Sequence, residues 1–284
     1  MAEALLSQLL AEATRRLREA GIEAPQREAR LLMALAANMS TAELIAKDQE
    51  PVPGELAAMY GAMVNKREAR IPFQHIAGYT QFYGHKFICD DRALVPRPDS
   101  EAVIDVALEV MPRGRGVRIA DLGTGSGCLL ISLLLERGGV TGVGVDADGG
   151  AASLAVQNVR YHKLEERAEI LVMPWARWRG WGEVDLIVSN PPYIETGVLS
   201  TLEDEVRLHD PAKALDGGAD GLDAYREIID LASAGMRPGS WLVLEIGYDQ
   251  NAAVAQLLGA AGFTAIGGRK DLSGNDRVVF GQQA

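Results

Sequence analysis

Asn190, Pro191, Pro192 and Tyr193 stand together directly after the run Asp185-Leu186-Ile187-Val188-Ser189, and their types suit one kind of reaction. A side-chain amide nitrogen is a poor nucleophile because its lone pair is delocalised into the carbonyl. An exocyclic amino group on a nucleobase has the same defect. Alkylating such a nitrogen calls for acceptors that hold its N–H groups and direct the lone pair at the incoming carbon. Asn190 offers a side-chain oxygen. Pro191 offers a backbone carbonyl held by two stiff prolines, and Tyr193 a flat ring to lie against a planar group. No strong base is required if the proton leaves after the transfer. The pattern predicts methyl transfer to a planar amide or amino nitrogen, with Asn190, Pro191 and Tyr193 catalytic and Asn190, Pro191, Pro192 and Tyr193 together holding the substrate. The bland alternative is a Pro-Pro turn after a strand.

A second group binds rather than reacts. Gly123, Thr124, Gly125, Ser126 and Gly127 follow Asp121-Leu122, where a strand should end and a helix begin. Glycines let such a loop turn tightly and approach a ligand closely. The spacing is Gly-x-Gly-x-Gly, not that of a dinucleotide fingerprint, and no Lys-Ser/Thr of a phosphate loop follows. A ligand without phosphate, such as S-adenosylmethionine, fits better. Asp146 falls one strand–helix–strand unit later, where a carboxylate can accept from both hydroxyls of a ribose; Asp148 competes for that role. Trp175 and Trp178 follow the next strand, and either can pack on an adenine ring. His75, His85, His162 and His209 match no metal or triad spacing, so no metal is expected.

These residues need a frame, and the hydrophobic periods supply one. Leu5, Leu6, Leu9, Leu10, Ala13 and Leu17 recur at helical spacing, and Gly21 stops that helix. A second stripe runs through Ala29, Leu31, Leu32, Leu35 and Ala36. Ser40-Thr41-Ala42-Glu43 starts another helix, and Pro53 opens one that reaches about Arg70. Residues 1–75 therefore read as a small helical domain, either a packing module or a substrate-docking domain. Residues 76–95 read as a β-hairpin linker turning at Gly84-His85. In Val95-Pro96-Arg97-Pro98 the prolines bar helix and central strand, and Asp99 or Ser100 can cap a helix from Glu101 to Met111.

Residues 96–284 alternate. Strands are expected at Val117–Leu122, Val140–Val145, Glu169–Met173, Val184–Ser189, Trp241–Ile246, Phe263–Ile266 and Arg277–Gly281. Helices are expected at Ser126–Glu136, Gly149–His162, Gly221–Met236 and Asn251–Ala261. Such alternation makes an α/β domain with a mostly parallel sheet and helices on both faces, and ligands bind at the carboxyl ends of its strands. The glycine loop, Asp146 and Asn190 all fall at strand ends.

Bulk properties narrow the partners. The 284 residues suffice for one large domain and a small one. Lys and Arg number 28 against 39 Asp and Glu, a net charge of −11, which disfavours a phosphate backbone as ligand. Cys89 and Cys128 have no metal-ligand spacing and read as reduced thiols. The N-terminus lacks the features of a signal peptide, and the longest uncharged stretch, Leu122 to Leu135, is too short to span a bilayer. A cytoplasmic protein is expected.

Taken together, the chain resembles the peptide chain release factor N5-glutamine methyltransferases. The likeness is carried by Pro72-Phe73-Gln74-His75-Ile76-Ala77-Gly78-Tyr79, Phe82-Tyr83-Gly84, Val95-Pro96-Arg97-Pro98-Asp99-Ser100-Glu101, the glycine loop and Asn190-Pro191-Pro192-Tyr193. It continues through Ala214-Leu215-Asp216-Gly217-Gly218, Asp220-Gly221-Leu222, Glu245-Ile246-Gly247 and Lys270-Asp271-Leu272-Ser273-Gly274-Asn275-Asp276-Arg277. Asn-Pro-Pro-Tyr alone is shared with adenine-N6 DNA methyltransferases. The Pro-Arg-Pro segment and the helical domain are more specific. The chain departs from the family in Asp99-Ser100-Glu101, where Glu-Thr-Glu is usual, and in Pro174, where Asp or Asn often precedes the tryptophan.

The resemblance implies a class I methyltransferase-type Rossmann-like sheet, seven-stranded and mostly parallel, with a helical N-terminal domain and a hairpin linker. It implies S-adenosylmethionine held by Gly123 to Gly127, Asp146, Trp175 and Asn190. It implies a monomer acting on the Gly-Gly-Gln glutamine of a release factor, with the helical domain and hairpin gripping that protein, and no direct contact with nucleic acid or membrane. A DNA adenine methyltransferase, a glutamine methyltransferase of a ribosomal protein and a cofactor-binding scaffold without activity are the competing readings.

Overall fold

The computed structural model describes residues 3–114 and 116–284. The contacts divide the chain into two compact units, one running to Gly78 and joined by Glu203–His209, the other comprising Tyr79–Leu202 and Asp210–Ala284.

In the first unit, α1 (Leu6–Glu19), α2 (Pro25–Ala37), α3 (Thr41–Ala46), α4 (Gly54–Glu68) and α5 (Phe73–Ala77) enclose a core of Leu6, Leu17, Leu32, Met33, Tyr60 and Val64. Gly21, at φ 70°, turns the chain after α1. Ser40 caps α3 as its sequence predicts: its Oγ accepts from the Glu43 N–H at 3.2 Å, and the Glu43 carboxylate accepts from the Ser40 N–H at 2.8 Å. In this unit Arg67 is buried and joins Glu28 at 3.0 Å to Glu205 at 2.6 Å.

The second unit opens with a hairpin of β1 (Tyr79–Phe82) and β2 (His85–Ile88), which turns at Tyr83-Gly84. Then follow α6 (Glu101–Val110), β3 (Arg118–Leu122), α7 (Cys128–Glu136), β4 (Thr141–Asp146), α8 (Gly149–Tyr161), β5 (Ala168–Val172) and β6 (Leu186–Ser189). After α9 (Asp204–His209), which belongs to the first unit, come α10 (Asp223–Gly235), β7 (Trp241–Glu245), α11 (Asn251–Ala260), β8 (Thr264–Lys270) and β9 (Asp276–Gln282). The strands form one seven-stranded sheet in the order β5-β4-β3-β6-β7-β9-β8, parallel from β5 to β7, with β9 antiparallel to both its neighbours. The alternation predicts the mostly parallel sheet, and its seven strands in this order are the class I methyltransferase architecture that the resemblance implies.

Side chains alternate across the central strands with period two. Ile119, Leu186, Val188 and Val243 pack on one face with residues of α6 and α7. Ala120, Leu122, Ile187, Leu242 and Leu244 pack on the other with residues of α10 and α11. Both faces are covered, so the inner strands are largely apolar, with Asp121, Ser189 and Glu245 buried near their carboxyl ends. β4 and β6 lie on opposite sides of β3, so the order reverses there and the crevice opens beyond the carboxyl ends of β3, β4 and β6.

Two helix starts differ from expectation for one reason. Gly127 is at φ 81° and Gly221 at φ 70°, so neither belongs to a helix, and α7 and α10 begin later than their apolar patterns do. The segment Pro98–Ser100 forms a 3-10 turn that runs straight into α6. Pro98 occupies the first position, where its missing N–H costs nothing. Consequently neither Asp99 nor Ser100 caps α6 with its side chain, and both are available for other bonds.

Candidate active site

A cavity of 670 Å³ lies in the second unit at the carboxyl ends of β3, β4 and β6. Gly123, Thr124, Gly125, Ser126, Asp146, Trp175, Asn190 and Pro192 line it. Gly127, Pro191 and Tyr193 do not line it. A Cβ on Gly127 would lie 3.0 Å from Ile131 Cδ1 and 3.3 Å from Ala155 Cβ, so that glycine allows α7 and α8 to approach rather than opening the loop to a ligand.

The glycine loop is held from beneath. Asp146, at the end of β4, accepts from the Gly125 N–H at 2.9 Å through Oδ2 and from the Asp148 N–H at 2.8 Å through Oδ1. Burial raises its pKa, and the two backbone N–H groups oppose that shift. Asp148 is committed elsewhere: it caps α8 by accepting from Gly150 and Ala151 at 2.8 and 3.1 Å. Asp121 is fully buried and accepts from the Thr124 hydroxyl at 2.7 Å and the Leu130 N–H at 3.3 Å. Burial pushes its pKa up to about 7.

The two tryptophans separate. Trp175 borders the cavity, with its Cζ2 3.5 Å from where a Gly123 Cβ would lie. Trp178 is buried in the core, tilted against Trp181 with ring centroids 5.1 Å apart, and its carbonyl accepts from the Trp181 indole at 3.1 Å. Cys128 also lines the cavity, where burial raises its thiol pKa to about 12 and keeps it protonated.

Asn190 leaves the end of β6 and donates its Nδ2–H to Ser100 Oγ at 3.3 Å. That bond fixes the amide so that Oδ1 remains an acceptor; among the described residues no donor is bonded to it. Tyr193 is not among the residues that line the cavity. Its hydroxyl donates to Glu245 Oε1 at 3.4 Å, and burial followed by the Glu245 charge raises its pKa. Glu245 is itself buried, which pushes its carboxyl up to about 7 against the Ser100 hydroxyl, the Arg277 charge and the Tyr193 hydroxyl. Arg277 pairs with Asp271 at 3.0 Å and Asp99 at 3.5 Å. The Pro-Arg-Pro-Asp-Ser-Glu segment and the Lys270-to-Arg277 segment therefore meet behind Asn190 and Tyr193.

Sequence reasoning missed these supports. It also missed Asn158, which is fully buried on α8. Its Nδ2 donates to the Ser126 carbonyl at 2.9 Å and the Ile88 carbonyl at 3.1 Å, and its Oδ1 accepts from the Ile88 N–H at 2.7 Å, tying the glycine loop to the hairpin. A signal was present: Asn158 falls on the apolar stripe of Ala151, Leu154 and Ala155, and a buried amide must be hydrogen-bonded.

The donor set suits S-adenosylmethionine. Gly123 and Gly125 lie at φ 72° and 54°, so the loop between them presents backbone to the cavity. A carboxylate at Asp146 suits ribose hydroxyls, and an indole at Trp175 suits a purine.

Comparison with known proteins identifies the family. The family model "PrmC N-terminal domain" matches residues 8–78, and "Methyltransferase small domain" matches residues 100–216. The release factor glutamine methyltransferase of Caulobacter vibrioides is 40% identical over 266 residues, covering 94% of this chain and 92% of that one. The one from Rhodospirillum rubrum is 40% identical over 279 residues, covering 98% and 85%. A solved release-factor-specific protein-(glutamine-N5) methyltransferase from Alicyclobacillus acidocaldarius is 30% identical and covers 69% of this chain and 98% of its own, with a TM-score of 0.41. Among the described residues no helix is long and apolar enough to cross a membrane. The cofactor of the protein is S-adenosylmethionine. With matches over nearly its whole length, the chain belongs to the release factor glutamine methyltransferase family.

Proposed function

We propose that the protein methylates the N5 amide nitrogen of the glutamine in the Gly-Gly-Gln motif of a peptide chain release factor, in the cytoplasm. The observation that carries this reading is the Asn190 amide, set by Ser100 with its oxygen left to accept, in a cavity that also holds the glycine loop and Asp146. When bound, the cofactor supplies an electrophilic methyl group. Asn190 Oδ1 and the Pro191 carbonyl accept the two N–H groups of the substrate amide and turn its lone pair toward that methyl. These acceptors strengthen as the nitrogen gains positive charge in the transition state, which is where binding accelerates reaction. The proton is lost after transfer, so no strong base is needed. Pro192 lines the site, and Tyr193 braces the segment from behind.

In this reading Gly123, Thr124, Gly125, Ser126, Asp146, Trp175 and Asn190 hold the cofactor, while Gly127 supports the loop through packing. The helical domain, residues 1–75, and the hairpin linker, residues 76–95, grip the protein substrate, and residues 96–284 carry the chemistry. Incubation with methyl-labelled S-adenosylmethionine and either release factor or DNA tests the substrate class. Label is expected on the release factor; label on DNA would sink the reading.

A further inference from the structure

Pro191 and Pro192 carry no N–H, so the segment bearing the acceptors has few donors with which to fix itself. Its backbone must be held by donors that come to its carbonyls. Gln250 brings one. Its Nε2 donates to the Tyr193 carbonyl at 3.0 Å and to the Gly221 carbonyl at 3.2 Å. Its Oε1 accepts from the Gly247 N–H at 2.9 Å and from the Tyr225 hydroxyl at 3.2 Å. Two carbonyls face its nitrogen and the Gly247 N–H faces its oxygen, so the orientation of the amide is determined. Among the described residues, no other side chain donates to a carbonyl of residues 190–193.

Close packing completes the clamp. A Cβ on Gly221 would lie 2.5 Å from the Tyr193 oxygen and 2.7 Å from Gln250 Nε2, and one on Gly217 would lie 2.8 Å from Tyr193 Cα. Tyr225 is fully buried, and its single O–H is shared between Gln250 Oε1 and the Glu245 carbonyl, which lies nearer at 3.0 Å. Gln250 itself does not line the cavity.

We propose that Gln250 is a positioning residue for methyl transfer: by holding the Tyr193 carbonyl it sets, through Pro192 with its ring-fixed φ, the place of the Pro191 carbonyl that receives the substrate amide. This rests on the reading of Asn190 to Tyr193 as the amide-holding segment. Gln250→Ala removes the clamp. Gln250→Glu keeps its length but turns both donors into acceptors facing two carbonyl oxygens.

Both variants should lose about a hundredfold in kcat, the scale of a small misplacement of reacting groups, while cofactor affinity stays near wild type and the thermal midpoint falls by only a few degrees. A kcat close to wild type in both would overturn the proposal. So would cofactor affinity and thermal midpoint falling in step with kcat, which would mark a purely structural role. The crystal structure of Gln250→Ala, solved without substrate, reads the segment directly. A shift of the Pro191 carbonyl by about 1 Å is expected, and an unmoved segment would contradict the proposal whatever the substrate. A wild-type enzyme that methylates some other nitrogen would sink the functional reading alone and leave that crystallographic result standing.

Discussion

The Asn190 side-chain amide donates to the Ser100 hydroxyl across 3.3 Å, joining the end of β6 to the turn that precedes α6. Through this bond the Pro-Arg-Pro segment bears on chemistry. Without it the Asn190 amide is free to rotate and present N–H where an acceptor is needed. Ser100→Ala should lower kcat about tenfold, the worth of one hydrogen bond of average strength, with cofactor affinity affected less, whereas Ser100→Thr should retain activity. Steady-state kinetics with a cofactor titration checks this, and an unaffected Ser100→Ala would remove Ser100 from the account.

Asn190→Ala deletes the acceptor itself. Its oxygen binds the substrate amide more strongly in the transition state than in the ground state, so the loss belongs in kcat rather than in cofactor binding. A fall of about a hundredfold or more is expected, as for removal of one preorganised group at a site of developing charge. Single-turnover rates at saturating cofactor measure it, and a variant slowed only by weaker cofactor binding would contradict the assignment.

Asp146 acts on the other ligand. One of its oxygens already anchors the glycine loop at Gly125 and the other the turn before α8 at Asp148, and both can still accept from a ribose. In Asp146→Asn one oxygen becomes a donor facing donors. Calorimetric titration with S-adenosylhomocysteine should show affinity reduced by about tenfold to a hundredfold, on the scale of a lost charge-assisted hydrogen bond, and kcat at saturation should change far less. Undiminished affinity would place the ribose elsewhere.

Glu245 predicts a pH dependence. Burial raises its folded pKa from 4.5 to about 7. The unfolded chain releases this proton near the ordinary carboxylate value, while the folded protein retains it to higher pH. The resulting stability is full below about 4.5 and is lost as pH rises toward about 7. Asp121 works in the same direction, from 3.8 to about 7. Glu245→Gln stays uncharged throughout, so its denaturation midpoint should decline less over that range than that of wild type. Parallel curves would show that Glu245 is not the titrating group.

The fold was legible because its signals are local. Strand and helix alternation, Gly21 at the end of α1 and the Ser40–Glu43 cap each depend on a few neighbouring residues. β8 was read too short because Gly267 and Gly268 resemble a strand's end; in fact the Phe280 ring covers Gly267, where a Cβ would lie 2.5 Å away. The glycine loop, Asp146 and Asn190 were legible because strand ends of a parallel sheet gather ligands. The partners of Asn190 and Tyr193 were not, because Ser100, Glu245, Gln250 and Arg277 are distant in sequence and meet only through the topology. Tyr193 was expected against the substrate from its type alone; its hydroxyl is instead turned toward a buried carboxyl.

The most direct test of the central claim is to locate the methyl group. The release factor is incubated with enzyme and S-adenosylmethionine, digested, and sequenced by fragmentation mass spectrometry. One added methyl on the side-chain amide nitrogen of the Gly-Gly-Gln glutamine, absent when Asn190→Ala replaces the wild-type enzyme, is the predicted result. A methyl on any other residue, or full modification by the Asn190→Ala enzyme, would contradict it.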